Sequence, residues 1–246
     1  MKSETERKEA LDRIRENIAR SGHHIYVVSR GAAIPRFAYT IGVSESIGVE
    51  LILAGAIFYM FKDVMQIVDN IAAHLKTHRD QESFEITDLG LFTLRKVHGS
   101  WAAKLMLGAF DYYQKQDIPA LQIVPDEAHW TVDVPEMSVP WSGTTEPVWQ
   151  WLCEPWTHPV PEGSTAATDL AALRGERITE AARWEEDEWE ICHADGPSVP
   201  KEEMRVVPLG TLLGADKSLL PVVHLKVGEG LLRDYDPTSE WRPWDK

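Results

Sequence analysis

A chain of 246 residues with 43% apolar and 26% charged residues has the balance of an ordinary globular protein, long enough for one large domain or two modest ones. No stretch approaches the roughly 20 apolar residues of a membrane-spanning helix, and two cysteines without Cys-x-x-Cys spacing, Cys153 and Cys192, exclude a disulfide framework or a cysteine zinc site. Of the net charge of −14, residues 131–246 hold −12, with 10 Lys/Arg against 22 Asp/Glu; a field of that sign repels nucleic acid and anionic membranes and draws in basic partners, although solubility alone also accounts for it.

The charged opening, Met1 to Lys8, contains no apolar signal-peptide core, which points to a cytoplasmic location. Ser3 and Glu6 have capping-box spacing, and Leu11, Ile14 and Ile18 then share one face up to Gly22, so residues 4–20 are expected to be helical. Ile25 to Val28, Phe37 to Ile41 and Glu50 to Ala54 are short β-favouring runs punctuated by Gly, Pro and Ser, the pattern of an antiparallel or mixed sheet. From Met60 to about His78, Phe61, Val64, Val68, Ile71 and Leu75 recur at helical spacing, with Lys62, Asp69 and Lys76 on the wet side. Phe84 to Thr87 and Phe92 to Val97 read as strands, Ala102 to Gln114 as one helix, and Leu121 to Val124 as a buried strand.

Between Val132 and Thr168, six prolines from Pro135 to Pro161, with Gly143, Gly163 and Ser164, forbid a long regular element. Trp141, Trp149, Trp151 and Trp156 in the same stretch have no place in a flexible linker, so it is expected to pack, its indoles covering a joint between domains or forming a partner-binding surface. Beyond it, Asp169 to Arg183 is helix-permissive, the acidic run after Trp184 passes into the alternation of Trp189 and Ile191 that starts a strand, His193 to Pro197 makes a turn, Val206-Val207 is a short strand and Leu209 to Leu213 a brief helix. The predicted fold class is α+β: an α+β domain over residues 1–132, a Pro/Trp-rich connector over 133–168, and a small acidic α+β domain over 169–246.

The blocks Phe37 to Gly42, Glu50-Leu51-Ile52 and Leu121 to Asp126 carry a resemblance. Residues from about 22 to 130 resemble a widespread bacterial domain of unknown function with F-A-Y-T-I-G-like, E-L-I-like and L-Q-x-V-x-P-D-like blocks, a family that implies no established activity. The chain departs from it at Gly48-Val49, where a His-Pro pair is common. Residues from about 188 to 244 look like a family of immunity proteins that neutralise bacterial polymorphic toxins, through Trp189, Asp195-Gly196, Pro208-Leu209-Gly210 and Gly228 to Arg233; that likeness implies toxin binding.

Candidate chemistry is sparse. His74 and His78 lie one helical turn apart, but Leu75 stands where a zinc protease needs a glutamate and no third ligand is indicated, so no metal and no cofactor is expected. Asp126 and His129 follow a strand end, where Tyr39, with His24, could join them in acid-base work; the competing readings are an aspartate capping the next turn and a hydrogen-bonded core tyrosine. Gly210 to Gly214 lacks the lysine a phosphate loop requires, and no nucleophile elbow or dinucleotide fingerprint occurs. The expected function is therefore a protein-binding, immunity or antitoxin-like role in which Trp184, Glu185, Glu186, Asp187, Glu188 and Trp189 meet a basic protein, possibly a toxin, with a solvated helix end as the alternative for that run. The rival is a small-molecule hydrolase or transferase with its pocket near Tyr39, Asp126 and His129.

Overall fold

The computed structural model describes residues 4–28, 33–194 and 199–244. Ser3 of the expected capping box and the Asp195-Gly196 turn lie outside the described residues. The first helix, α1 (Glu4–Ser21), closes at Gly22, whose φ of +78° suits the left-handed turn and whose N–H returns to the Ile18 carbonyl.

The front sheet runs β1 (His24–Val28), β2 (Phe37–Ile41), β3 (Glu50–Ala54), β6 (Ala120–Pro125), β5 (Gly90–Lys96) and β4 (Ser83–Ile86) in spatial order. Its neighbours are antiparallel except β3 and β6, which pair in parallel from Glu50 opposite Ala120. All ten residues of β2 and β3 are buried, because both faces of the sheet are covered. On one face Phe37, Tyr39, Ile41 and Ile52 pack beneath Ile14 of α1 and beneath Trp101, Leu105 and Ala109 of α4 (Gly99–Leu105) and α5 (Leu107–Tyr113). On the other, Ala38, Leu51 and Leu53 meet Val64, Val68, Ile71 and Leu75 of α3 (Phe61–Leu75). A short helix, α2 (Ser44–Ile47), joins β2 to β3. The helix expected over Ala102 to Gln114 is two helices, broken at Met106 with φ −95° and ψ +37°.

The rear sheet has the order β10 (Met204–Pro208), β7 (Thr165–Asp169), β9 (Glu188–Cys192), β8 (Glu180–Arg183), β11 (Gly230–Leu232) and β12 (Arg242–Pro243). Again one central pair, β7 with β9, is parallel. Its core gathers Ala166, Ala181, Trp189, Ile191 and Val207 against α6 (Leu170–Leu173), α7 (Leu209–Ala215) and the 3₁₀ segment Lys217–His224. Two sequence expectations need correction. The end of the supposed connector, Thr165 to Thr168, is a central strand, and of the helix-permissive stretch after Asp169 only Leu170–Leu173 is helical, residues 174–179 being a loop that leads into β8, because pairing with β9 and β11 outweighs the helix preference of Glu180-Ala181-Ala182-Arg183.

The Pro/Trp-rich stretch packs, as expected. Trp149, in the 3₁₀ segment Pro147–Leu152, is fully buried in the front core edge-on to Trp101 (5.9 Å), and its indole N–H donates to the Asp133 carbonyl. Trp151 and Trp156 contact each other at 4.9 Å; Trp156 packs on the rear core while Trp151 donates to the Gly210 carbonyl of α7. Close approach is enforced by glycine: a Cβ on Gly214 would stand 2.5 Å from the Pro147 carbonyl oxygen.

The segment after β3 is tighter still. Gly55 has φ +71°, and a Cβ there would lie 2.0 Å from the Asp133 carbonyl oxygen. Replacing Gly55 with alanine combines a strained φ with a backbone clash and should lower folding stability by about 3 kcal/mol. Gly163→Ala, at a position with open space around it, should change stability by less than about 0.5 kcal/mol. Urea midpoints of the two variants beside the parent chain check this pair.

Candidate functional site

The motif residues of the front lobe build a buried hydrogen-bond hub. Thr40 points to the opposite face of β2 from Tyr39, and its hydroxyl donates to one Glu50 carboxylate oxygen while accepting from the Leu51 N–H. The other Glu50 oxygen accepts from the Gly42 N–H, the Ser44 N–H (3.1 Å each) and the Tyr113 hydroxyl. Glu50 is wholly buried, with four donors around its two oxygens. Burial, and then the Glu50 carboxylate, raises the Tyr113 hydroxyl above the usual phenol range, so Tyr113 is a donor here and not a base. The hub shapes the turn from β2 into α2; its acceptors are spent on that turn.

Tyr39, Asp126 and His129 do not converge. Tyr39 is buried on the α4/α5 face, stacked on Tyr26 at 5.4 Å, with its hydroxyl accepting from the Gly108 N–H at 3.0 Å. His24 lies beyond Tyr26 on β1, its ring Nδ1 2.8 Å from the Asn17 amide. Asp126 caps the turn Glu127–His129 by accepting the His129 N–H, takes the Leu91 N–H at 2.8 Å, and holds His129 Nδ1 at 2.6 Å. His129 in turn stacks on Tyr59 and abuts Phe58. Asp126 and His129 thus clasp a turn, and Tyr39 is a hydrogen-bonded core residue.

The helix expected to reach about His78 ends at Leu75, so of the two histidines only His74 is helical; both face solvent and stack at 4.5 Å, and His74 Nε2 lies 2.8 Å from the Gln81 amide oxygen. Among the described residues, no three His, Cys, Asp or Glu side chains are grouped to hold a metal ion, and no helix is long and apolar enough to cross a membrane. The Cys192 thiol is buried, and burial followed by the charges of Asp169, Glu190 and Glu180 pushes it far above the ordinary thiol range, which removes it as a nucleophile.

The acidic run expected to meet a partner is the tip of the β8–β9 hairpin, not a helix end. Arg183 and Trp189 are the last paired residues of the ladder, and the Trp184 N–H closes the tip by donating to the Glu188 carbonyl. Beneath the tip, the Arg183 guanidinium donates to the carbonyls of Glu185, Glu186 and Leu225 and lies over the Trp189 ring at 4.7 Å. Glu185, Glu186, Asp187 and Glu188 are exposed, and among the described residues none of them forms an ion pair. Trp184 is 48% exposed, edge-on to Trp244 at 6.0 Å, and its indole N–H donates to Glu190 at 3.3 Å. Trp189 is different: at 2% exposure it belongs to the rear core and cannot touch a partner. The sequence signal for this was the Trp189/Ile191 alternation, which marks an inward face.

With this geometry in hand, residues 17–130 match a family described as Domain of unknown function (DUF4262). The match takes in α1 from Asn17 and the whole front sheet, hub included, and stops short of the rear lobe. No curated protein and no solved structure matches the chain.

Two outcomes follow from these sites. Glu50→Gln replaces an all-acceptor group with one that must turn an N–H₂ towards existing donors, and should cost about 2 to 3 kcal/mol by urea denaturation, with Tyr113→Phe costing about 1 kcal/mol. Burial, then Lys76, lowers His23 below the ordinary imidazole value despite Asp69 3.2 Å away, and burial, then Arg13, lowers His24. The unfolded chain therefore binds more protons once pH falls below about 6.5, and the stability these groups contribute is present above that value and lost as pH drops towards their depressed folded values. Denaturation curves at pH 7.5 and 5.5 should show a smaller acid loss in the His23→Gln/His24→Gln double variant than in the parent.

Proposed function

We propose that the chain is a protein-binding protein whose rear lobe docks on a basic partner through the β8–β9 hairpin tip. The observation that carries this reading is the tip itself: four consecutive exposed carboxylates beside an exposed indole, on a loop whose backbone is already held from below by Arg183. A preformed loop loses little conformational entropy on binding, and the indole supplies an apolar anchor within a charged surface. The −12 charge of residues 131–246 adds long-range attraction for a cationic surface. The likeness of residues 188–244 to immunity proteins supports a toxin as that partner, met in the cytoplasm. Trp184 and the carboxylates of Glu185, Glu186, Asp187 and Glu188 make the contact; Trp189 holds the hairpin from inside.

The rival reading, a hydrolase or transferase using Tyr39, Asp126 and His129, draws no support from geometry, since Tyr39 lies on one face of the front sheet while Asp126 and His129 are engaged in a turn beside Tyr59. Affinity capture from native cells at low and moderate salt tests the binding reading. The parent chain should retain one basic protein, more weakly as salt rises, and the Glu185→Lys/Glu186→Lys/Glu188→Lys variant should associate with it at least about 10-fold more slowly at low salt. Equal association rates for the two chains would remove the hairpin from the contact.

A further inference from the structure

The two lobes leave between them a cleft of about 380 Å³, within the size range of small-molecule sites. One wall is the outer edge of β10, the terminal strand of the rear sheet; the other is the stretch that enters α3, together with Pro35 and Arg36 ahead of β2. Each lobe contributes one arginine. Arg205 donates from Nε and both terminal nitrogens to the carbonyls of Ile57, Phe58, Glu202 and Met204. Arg36 donates from one terminal nitrogen to the carbonyls of Ala56 and Tyr59, while its Nε is buried with no hydrogen-bond partner.

Among the described residues, neither guanidinium has a carboxylate at ion-pair distance. The acidic groups that act on them are Asp133, which lines the cleft and acts on Arg36, Asp63, which acts on both, and Glu203, which acts on Arg205. Asp133 is buried, already accepts from Thr131 and the Ile57 N–H, and is pushed above the ordinary carboxylate range by that burial. A second unmet polar atom, the buried Thr211 hydroxyl of α7, also borders the cleft. Two guanidinium groups with no carboxylate at ion-pair distance, and two buried polar atoms without partners, Arg36 Nε and Thr211 Oγ1, are the signature of a site short of an anion.

The mouth adds an apolar requirement. Met60 and Phe61, each 54% exposed, stand on the front side and Val206, 61% exposed, on the rear side. An inorganic anion would leave these side chains wet, and a dianion would both need more N–H donors than the guanidinium groups have left after serving the carbonyls and sit against Asp133. We propose that this cleft binds a small monocarboxylate with an apolar body, its carboxylate between Arg36 and Arg205 and its chain between Phe61 and Val206. The site is separate from the hairpin tip and stands or falls without it.

Octanoate is a suitable probe, titrated into the full chain by isothermal calorimetry with ligand-observed NMR, beside octanol and inorganic phosphate. Saturable octanoate binding is expected, with octanol and phosphate at least about 10-fold weaker. Val206→Glu alters an exposed rim residue and adds a repelling charge, so it should weaken octanoate about 10-fold while leaving the thermal unfolding midpoint in place. Thr211→Val removes the unmet hydroxyl and should weaken binding several-fold. Absence of saturable octanoate binding up to about 10 mM, equal affinity for octanol or phosphate, or an unchanged affinity in Val206→Glu would each overturn the proposal.

Discussion

The two sheets are held in one arrangement by the short segment from Gly55 to Tyr59, which leaves β3 and runs along the joint before α3 begins. Gly55 and Ala56 both take positive φ, so the chain turns sharply, and the carbonyls of residues 56–59 are left without strand or helix partners of the usual kind. Buried carbonyls need donors, and a guanidinium offers five in a fixed fork. Arg36 supplies them to Ala56 and Tyr59 from the front lobe and Arg205 to Ile57 and Phe58 from the rear, so the segment that leaves one sheet positions the other. Phe58 completes the joint, with Arg174 and Arg205 both within 6 Å of its ring centre and Arg174 also donating to the Ala128 carbonyl. Burial lowers both clasping arginines from their ordinary value, yet an arginine starts so far above neutrality that its charge is secure.

Given that clasp, the indoles have a defined task. A joint made only of guanidinium–carbonyl bonds would be wet, and water would compete for every one of them. Trp149 fills the front core beneath the joint, Trp151 and Trp156 seal its edge, Gly214 lets α7 approach the backbone of Pro147 and Val148, and Gly210 lets it close on Ala33 and the Trp151 indole. Proline serves the same end: it keeps the chain from forming regular elements whose unpaired edges would have to be satisfied inside the joint. The segment that looks like a linker in composition is thus part of two cores.

What the sequence disclosed and what it hid divide along physical lines. Helices α1 and α3 and strands β1 to β6 were legible because each packs one repeating face or is buried on both, and burial writes itself into residue spacing. The break at Met106 was hidden because Trp101, Leu105 and Ala109 keep helical spacing across it, so the apolar pattern survives a change of helix axis. Strand β7 was hidden by its composition: Thr165-Ala166-Ala167-Thr168 carries no large β-branched residue, since a central strand flanked by Trp189 has room only for small side chains. Of the acidic run, exposure of residues 185–188 could be read from charge, while Trp189 was drawn into the same surface by proximity in sequence although the alternation with Ile191 placed it inside. Arg36 and Arg205 had no sequence signal, because their shared role exists only once the 168 residues between them have folded.

The blocks Phe37 to Gly42 and Glu50 to Ile52 are accounted for by shape. Thr40, Gly42 and Glu50 share one buried hub in which four donors surround the Glu50 carboxylate, and a carboxylate so enclosed is not presented to a substrate. The two sites proposed above lie where polar groups are unspent, and they differ in the range of their forces. A contact at the hairpin tip, as proposed, works through net charge that reaches beyond touching distance, so added salt is expected to weaken it. The cleft carries positive groups inside a molecule of charge −14, so an approaching anion is repelled at distance and captured only at contact; salt that screens the outer field eases its entry. On these two proposals one molecule attracts a basic macromolecule from afar and admits a small acid only at close range, because the sign of the field at long range and the sign of the charge at the bottom of the cleft are opposite.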